Sequence, residues 1–456
     1  MRSSFWPVGL LLAFVPVGCG DNGRATAGAD RPDTALDAGI VCPAGSATTL
    51  SGTVFAPNGT LPLYNALVYV PDGPLPPVPH GVVSCDQCSG APAARAIAAA
   101  RTDALGHFSM GAPPTGKNIP LVVQVGKWRR QVTIPEIQSC KDNALTDPEL
   151  TRLPKTQSEG DMPRIAMVDA VCDNQICEVS KIGIDPSEWG ISGEEKAVTF
   201  FDTGEVADDG TLWDFVGLRR YDRHLQQMRL ASELWWTADE LKKYDMVIHS
   251  SECGEGLSSK GPAAFQAMTD YLNAGGRLFG IADAYVWFKY SPDPAVTDAI
   301  HIAPDRPTSL GGSPIRIDTS VSKGKALADW LQNLDPTQPY GDLNRPAAIR
   351  YTREVLPPGQ VWASSPADYT DKFGDAGETP VEPRLYSLDF PAGSPADRQC
   401  GKSVHLDMTV NLGLSLSFRN FPDDCGTDFF LGERALTFFL FDLPSCIQDI
   451  RQPPPK

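Results

Sequence analysis

Short apolar segments alternate with a helical segment between residues 162 and 292, and this alternation constrains the fold more than any other feature. PRIAMVDA and YDMVIHSS contain apolar runs of the length typical of buried strands. GPAAFQAMTDYLNAGG starts with a helix-initiating proline, has apolar side chains on one face and stops at Gly275 and Gly276. The apolar run RLFGI follows at once. Strands that alternate with helices predict a parallel sheet covered by helices on both faces.

The ends of these predicted strands are where functional side chains are expected, because ligands bind at the carboxyl ends of parallel strands. A strand-end aspartate can instead cap the next helix, and no dense ligand motif supports a metal, so capping or packing is the simpler interpretation. The aromatic residues after RLFGI are expected to be core or the wall of a pocket. The candidate acid–base residues are Asp202, His249 and Asp283, and the aromatic residues are Tyr285, Trp287 and Phe288.

Segment 162–292 resembles the class I glutamine-amidotransferase-like fold in its ThuA-like branch, through YDMVIHSSE, the helix and YLNAGGRLFGIADA. The resemblance implies a nucleophilic cysteine after the strand, in a Gly-x-Cys-x-Gly turn. Residues 280–284 align with that turn, and Ala282 stands at the nucleophile position, where a methyl group cannot attack an amide carbon. The H-x-E motif of that family is absent, since His405 and Asp407 do not form it. Amidotransferase activity is therefore not expected.

The N-terminus predicts export from the cytoplasm. MRSS is a short cationic start, FWPVGLLLAFVPVG is apolar but short for a membrane span, and the small residue Gly18 precedes Cys19. This pattern resembles a bacterial lipoprotein signal covering residues 1–18. The resemblance implies anchoring in a lipid bilayer through acylated Cys19, and an ordinary secretory signal is the alternative. Residues 19–46 are small and polar and predict a flexible tether.

Cysteine usage agrees with an exported protein. The chain has 11 cysteines, so ten remain beside Cys19, and an even number in an exported chain suggests disulfides. Cys253 is expected to be a disulfide partner or a buried thiol. Two close pairs could each close a small loop, although the connectivity cannot be read from the sequence: Cys85 with Cys88, and Cys172 with Cys177. The other disulfide candidates are Cys42, Cys140, Cys400, Cys425 and Cys446.

Residues 47–140 predict a small β-sandwich, because short alternating runs rich in Val and Thr are separated by turn residues. SGTVFAPNGT, LYNALVYV and TDALGHFSM resemble the carboxypeptidase regulatory-like, transthyretin-type domain. That resemblance implies an accessory module without catalytic residues. Within it, residues 71–100 are expected to form a decorated loop, and residues 141–161 a linker to the next domain.

Residues 293–456 return to short β-type runs and end in the helical segment GERALTFFLFDL, so we expect a β-rich C-terminal region that completes the α/β domain. Over its whole length the chain resembles myxobacterial-type surface lipoproteins of unknown function. The predicted fold is multidomain α/β plus β, with an N-terminal β-sandwich, a central flavodoxin-like doubly wound parallel sheet, and the C-terminal region with its terminal helix. A tryptophan synthase α chain would need a barrel of eight βα units. The sequence does not contain eight such units, so this enzyme is excluded.

Charge and chemistry leave two functional hypotheses. The 456 residues include 39 basic and 56 acidic side chains, a formal charge of −17 without a basic block, so nucleic acid is not expected as a partner. No cofactor motif is recognised. One hypothesis is a non-catalytic surface lipoprotein that binds a glycan or a surface protein. The other is a hydrolase or sugar-processing enzyme using Asp283 and His249, with Asp202 as a further participant, and convergence of the three around an open cleft would favour it.

Overall fold

The computed structural model of the chain describes most residues between 42 and 451, all within the compact unit Asp37–Lys456. The described residues are 42–79, 85, 95–170, 175–191, 196–203, 228–252, 254–302, 314–343, 351–366, 381–408, 410, 425–426, 428–429, 431–444 and 450–451. The predicted signal sequence, the tether before residue 42 and five cysteines lie outside these residues. Those cysteines are Cys19, Cys88, Cys172, Cys253 and Cys446.

Two small sheets form the N-terminal β-sandwich. In the first, β1 pairs with β4 on one side and β7 on the other, and the second has the order β3-β2-β5-β6. Strand β4 shows why the sequence forms a sandwich, because Phe108 and Met110 are buried while the alternate residues face solvent. The strands are β1 (Thr49–Thr53), β2 (Leu67–Pro71), β3 (Ala96–Arg101), β4 (His107–Gly111), β5 (Gly116–Val125), β6 (Trp128–Ile137) and β7 (Asp142–Leu145).

Two strands of the sandwich lie in stretches that were expected to be irregular. Strand β3 falls at the end of the predicted loop 71–100 and pairs with β2, so the loop prediction is wrong for these residues. The segment AIAAAR escaped notice because alanine is depleted in strands, and pairing with β2 decides its conformation. Strand β7 falls in the predicted linker 141–161 and pairs in parallel with β1.

A ten-stranded sheet forms the centre of the molecule, in the order β11-β10-β8-β12-β13-β19-β18-β17-β15, with β9 beside β10. The neighbouring strands β11, β10, β8, β12, β13 and β19 run parallel to one another. Strands β18, β17 and β15 then extend the sheet in antiparallel fashion. The remaining strands are β8 (Ile165–Asp169), β9 (Trp189–Gly190), β10 (Val198–Asp202), β11 (Arg229–Leu230), β12 (Met246–His249), β13 (Arg277–Ile281), β14 (Ile300–Ile302), β15 (Arg316–Ile317), β16 (Thr352–Val355), β17 (Gln360–Pro366), β18 (Val381–Phe390) and β19 (Gly401–Leu406).

Helices cover both faces of this sheet, which confirms the predicted fold class. Successive residues of β13 belong to different cores: Leu278 packs with α4 and α5, and Phe279 with α8. The helices are α1 (Cys177–Lys181), α2 (Ala231–Leu234), α3 (Ala238–Leu241), α4 (Pro262–Asn273), α5 (Val286–Lys289), α6 (Pro294–Ala299), α7 (Ser322–Leu334) and α8 (Leu431–Asp442). In the described part of the chain, no helix is long and apolar enough to cross a membrane.

The sandwich packs directly against the large sheet's C-terminal helices. The indole of Trp330 donates a hydrogen bond to the carbonyl oxygen of Pro62 at 2.8 Å. Tyr64 stacks on Phe438 of α8, with ring centroids 5.7 Å apart. Apolar side chains of the sandwich therefore share one core with α7 and α8.

Among the described cysteines, three disulfides connect distant parts of the chain: Cys42–Cys140, Cys85–Cys400 and Cys177–Cys425. The suggested small loops are wrong, because Cys85 and Cys177 are bonded to cysteines 315 and 248 residues away. Neighbours in sequence were the natural guess, whereas only the folded chain brings these partners together. By the loop-entropy argument, such long closures restrict the unfolded chain more than short loops would.

Candidate functional site

The turn after β13, here called the elbow, has Ala282 at the position expected for a nucleophile. All five residues of β13 are buried, as predicted for a strand covered on both faces. The chain then bends into a 3₁₀ turn, Ala282–Tyr285, and Ala282 has φ +45°. This conformation costs an L-residue roughly 1–2 kcal/mol relative to the right-handed region. The elbow thus retains backbone strain of a kind that clusters at functional sites, but its side chain is a buried methyl group.

Two histidines flank Gly280 at one level of the sheet. Gly280 pairs with His249 of β12 on one side and with His405 of β19 on the other, so both imidazoles project from the same face. A Cβ atom on Gly280 would lie 3.0 Å from Ala284 Cβ and 3.1 Å from His405 Nδ1. Glycine therefore lets the turn after β13 pack onto the sheet between the two histidines.

Both ring nitrogens of His249 are occupied. Trp287 Nε1 donates to His249 Nδ1 at 2.9 Å, and His249 Nε2 lies 3.1 Å from Glu252 Oε1. An indole can only donate, so Nδ1 is the acceptor. Nε2 therefore carries the ring proton and donates a hydrogen bond to Glu252. Burial lowers the pKa of His249 below its usual value, against the opposing effect of Glu252, which keeps the ring neutral. The arrangement leaves His249 no nitrogen for a substrate.

Glu252 and Lys260 complete a buried chain of polar groups. The ammonium of Lys260 contacts Glu252 Oε2 and lies 5.1 Å from the ring centre of Trp235. Burial alone would raise the pKa of Glu252, but the charge of Lys260 and the bond from His249 hold it below its ordinary value. The loop closes at Gly256, which has φ +58° and lies against both charged groups. Glu252 is thus ionised and fully engaged within the protein.

The three predicted acid–base residues do not form one cluster. Asp283 is buried, and its Oδ2 accepts a hydrogen bond from Ser251 Oγ at 2.5 Å, whereas the partner of His249 is Glu252. Asp202 ends β10, which is three strands from β13 in the sheet order. At about 4.8 Å per strand, this places Asp202 roughly 14 Å from the elbow strand. Convergence of all three around a cleft, which would have favoured an enzyme, is not found.

The aromatic residues after the elbow belong to the core. Tyr285, Trp287 and Phe288 are buried, so they offer no open platform to a ligand. The hydroxyl of Tyr285 donates to Glu255 at 2.7 Å, and the ammonium of Lys289 lies 2.5 Å from the same oxygen. These contacts tie the loop after β12 to α5. Glu255 and Lys260 were missed from the sequence, and their only signal was the density of polar residues in HSSECGEGLSSKG.

His405 is the one candidate left without a hydrogen bond. It is fully buried against Phe288 and Tyr386, and among the described residues neither of its nitrogens has a hydrogen-bond partner. Its Nε2 lies 3.8 Å from Asp407 Oδ1, but that carboxylate already accepts hydrogen bonds from backbone N–H groups and from Arg384. His405 and Asp407 are thus neighbours without an oriented bond between them.

Two small clefts in the described part of the chain lie elsewhere in the fold. One is lined by residues of α7 and by Arg434 of α8, and the other lies between Tyr64 and Phe438. Within the described ranges, no group of three or more His, Cys, Asp or Glu residues is arranged to hold a metal ion. Among the described residues at the strand ends, His249, Glu252 and Lys260 therefore bind one another, while His405 has no hydrogen-bond partner.

No family model matches the chain, and no curated protein matches it. Among solved structures, the chain is similar to a ThuA-like protein from Bacteroides uniformis, at 11% identity and a TM-score of 0.33, over 62% of this chain and 92% of that one. It is also similar to a cytoplasmic protein from Salmonella typhimurium, at 10% identity and a TM-score of 0.30, over 61% and 98% of the two chains. A second cytoplasmic protein from Salmonella typhimurium LT2 has 13% identity, a TM-score of 0.27, and coverage of 54% and 88%.

Proposed function

We propose that this chain is an exported lipoprotein, anchored through acylated Cys19, whose α/β domain is a non-catalytic scaffold that binds a glycan or a surface protein. The observation that carries the proposal is the elbow, where a buried alanine occupies the position expected for a nucleophile. The neighbouring polar groups support it, because His249, Glu252 and Lys260 bind one another. The three long-range disulfides among the described cysteines also suit an exported protein.

Anchoring is tested by the change Cys19→Ser. Acyl chains would supply nearly all of the membrane affinity, so the variant should move from the membrane to the soluble exported fraction. Cell fractionation followed by immunoblotting measures the partition. Changing Cys42→Ser is a matched control, because Cys42 is bonded to Cys140 and should not affect the partition. Membrane association that survives Cys19→Ser would refute the anchor.

The absence of catalysis is tested at Asp283. The purified protein should release no ammonia from glutamine. Any hydrolysis of glycosides or esters should be unchanged by Asp283→Asn, which preserves the volume next to Ser251. A loss of hydrolysis on the order of the 10²- to 10⁴-fold typical of a missing acid–base group would establish the enzyme hypothesis in place of the scaffold.

Binding is tested at the surface, since the aromatic residues beside the elbow are buried. Trp236 is 72% exposed, the largest exposed fraction among the large apolar side chains in the described ranges. An exposed indole offers an apolar face and a polar N–H, which suits contact with a sugar ring. Binding to a panel of immobilised glycans should weaken in Trp236→Ala and remain unchanged in Tyr340→Ala, an exposed aromatic residue elsewhere on the surface. Equal binding by both variants would remove Trp236 from the proposal.

A further inference from the structure

The imidazole of His249 accepts a hydrogen bond that it can keep only while the ring is neutral. Trp287 Nε1 lies 2.9 Å from His249 Nδ1, and an indole N–H can donate but cannot accept. A proton on Nδ1 would turn this nitrogen into a second donor that faces the first. Protonation of the ring at Nδ1 therefore breaks the hydrogen bond between His249 and Trp287.

Nδ1 is the one position on the ring that an added proton can occupy. Nε2 already carries the proton of the neutral ring and donates it to Glu252 Oε1, at 3.1 Å. The ammonium of Lys260 contacts the other oxygen of this carboxylate. Although burial raises the pKa of Glu252, the charge of Lys260 holds it below its ordinary value. The carboxylate thus stays ionised in mild acid, and the proton goes to His249.

The charged and titratable groups that face His249 come from two elements. Glu252 and Lys260 belong to the loop after β12, and His405 belongs to β19. Burial lowers the pKa of His249, and Glu252 opposes this effect only in part. The contribution of the neutral ring to stability is therefore complete above the ordinary pKa of a histidine and is lost as the pH falls below it.

Ring packing holds Trp287 in place as long as its N–H has an acceptor. The indole is 4% exposed, and its ring centre lies 5.3 Å from that of Trp235 and 5.6 Å from that of Phe265. A buried donor without an acceptor loses the hydrogen bond that water would give it. A shift of the ring toward solvent restores that bond. Helix α5, which carries Trp287, must shift with the ring.

Helix α5 and the loop after β12 would move together. Lys289 Nζ lies 2.5 Å from Glu255 Oε1, and the hydroxyl of Tyr290 donates to Glu255 Oε2 at 2.6 Å. Although burial raises the pKa of Glu255, the hydrogen bond from Lys289 holds it below its ordinary value. These contacts therefore survive in mild acid. The bond between His249 and Trp287 is the contact of this group that depends on a neutral histidine.

We propose that His249 and Trp287 form an acid-sensitive switch, in which a proton added to His249 Nδ1 detaches α5 from the carboxyl edge of the sheet. The proton comes from solvent and binds the Nδ1 lone pair, so no other reactant is needed. Helix α5 and the loop that contains Glu255 then become accessible to water. The switch requires neither a bound ligand nor the membrane anchor, so it is independent of the binding role proposed above.

Hydrogen–deuterium exchange of the full-length protein, followed by mass spectrometry, tests the switch. After correction for the intrinsic effect of pH, peptides covering residues 254–260 and 286–290 should exchange at least about tenfold faster at about pH 5 than at about pH 7.5, because a buried hydrogen bond is lost. Peptides from β5 and β6 of the sandwich should keep their protection, which excludes global unfolding. Equal protection of α5 at both pH values would overturn the switch.

Variants identify the group that takes up the proton. His249→Asn retains an acceptor near the position of Nδ1 but does not titrate in this range, so the faster exchange in acid should disappear. His301→Asn, at an exposed histidine paired with Glu354, should retain it. An acid response that survives in His249→Asn would assign the change to other groups and overturn the switch.

Trp287→Phe provides a second test that does not require His249→Asn to fold. The hydrogen bond from the indole stabilises the neutral ring, so its removal should move the protonation of His249 to higher pH. Nuclear magnetic resonance of the imidazole carbon-bound protons follows this titration in the folded protein. An unchanged midpoint would show that Trp287 does not oppose protonation and would overturn the coupling between the two residues.

Discussion

Two buried Lys–Glu pairs, one at the end of β12 and one between α1 and α8, have the same charges and opposite surroundings. Lys260 and Glu252 are accompanied by a neutral histidine, which donates a proton to the carboxylate without adding charge. Lys181 and Glu433 are accompanied by a second carboxyl group, Glu178. The third group decides the protonation of the cluster. Glu252 is held ionised, with a lowered pKa, whereas the pKa of Glu178 is raised.

The two clusters also lie in different parts of the fold. The β12 cluster lies where an enzyme of this architecture would keep its catalytic groups, yet its hydrogen bonds are all directed inward. The α1–α8 cluster lies far from the strand ends but combines an amine, a carboxylate and a neutral acid. The groups around each buried pair, and not its position in the fold, thus set the direction in which the carboxyl pKa is shifted.

The largest change in the free energy of unfolding is expected when Lys260, the cation of the Lys260–Glu252 pair, is removed. Lys260→Met leaves the carboxylate of Glu252 buried without its ammonium partner, and removing one member of a buried pair costs about 3–5 kcal/mol. Urea unfolding measures the loss in the free energy of unfolding. Lys243→Met, at a half-exposed lysine with a surface partner, should cost less than about 1 kcal/mol. The double change Lys260→Met with Glu252→Gln should recover part of the loss, and equal effects of the two lysine changes would contradict a structural role for Lys260.

The contribution of the α1–α8 cluster, which contains Glu178, Lys181 and Glu433, to the free energy of unfolding should depend on pH. The pKa of Glu178 is raised in the folded protein, so its contribution to stability is full below the unfolded pKa and is lost as pH rises toward the folded value. The slope for one proton is at most about 1.4 kcal/mol per pH unit. Glu178→Gln cannot ionise and should remove this component, so the variant should gain stability relative to the wild type as pH rises above the ordinary pKa of a glutamate. Parallel stability curves for the two proteins would contradict a neutral Glu178.

The smallest effect is expected at the empty elbow. Ala282→Gly should raise the free energy of unfolding by about 0.5–1 kcal/mol, because glycine adopts a positive φ without the cost that alanine carries. Ala284→Gly in the same turn has no positive φ to relieve and should lower stability by about 0.5–1 kcal/mol. Thermal unfolding distinguishes the two signs. Destabilisation by both changes would show that the elbow stores no strain at Ala282.

Local patterns predicted the elements around the elbow well. Thr237 caps α3, since its Oγ1 accepts a hydrogen bond from Glu240 N at 3.2 Å. Helix α4 begins at Pro262 and β13 is buried on both faces, as expected. These features depend on residues within one turn or one strand of each other, so their cause is visible in the sequence. The position of Ala282 after β13 was visible for the same reason.

The partners of the candidate side chains were not visible in this way. His249 and Asp283 were selected because one ends a strand and the other follows one. Strand order places Asp202 two strands from His249 and three strands from the elbow strand, and the partners of His249 are a tryptophan and a glutamate. Lys260 meets Glu252 because Gly256 folds the loop back on itself. Such a contact requires the loop conformation, which no periodicity encodes.

The sequence alone determined the alternation of strands and helices, the empty elbow, and the expectation of export and disulfides, because each depends on residue types at short spacing or on composition. The tertiary structure decided which charges meet. Glu178 and Glu433 are separated by most of the α/β domain in the chain, and Cys177 is joined to a cysteine 248 residues away. Burial then set the protonation of these groups, since the free energy of a charge depends on the solvent and partners that the complete fold leaves around it.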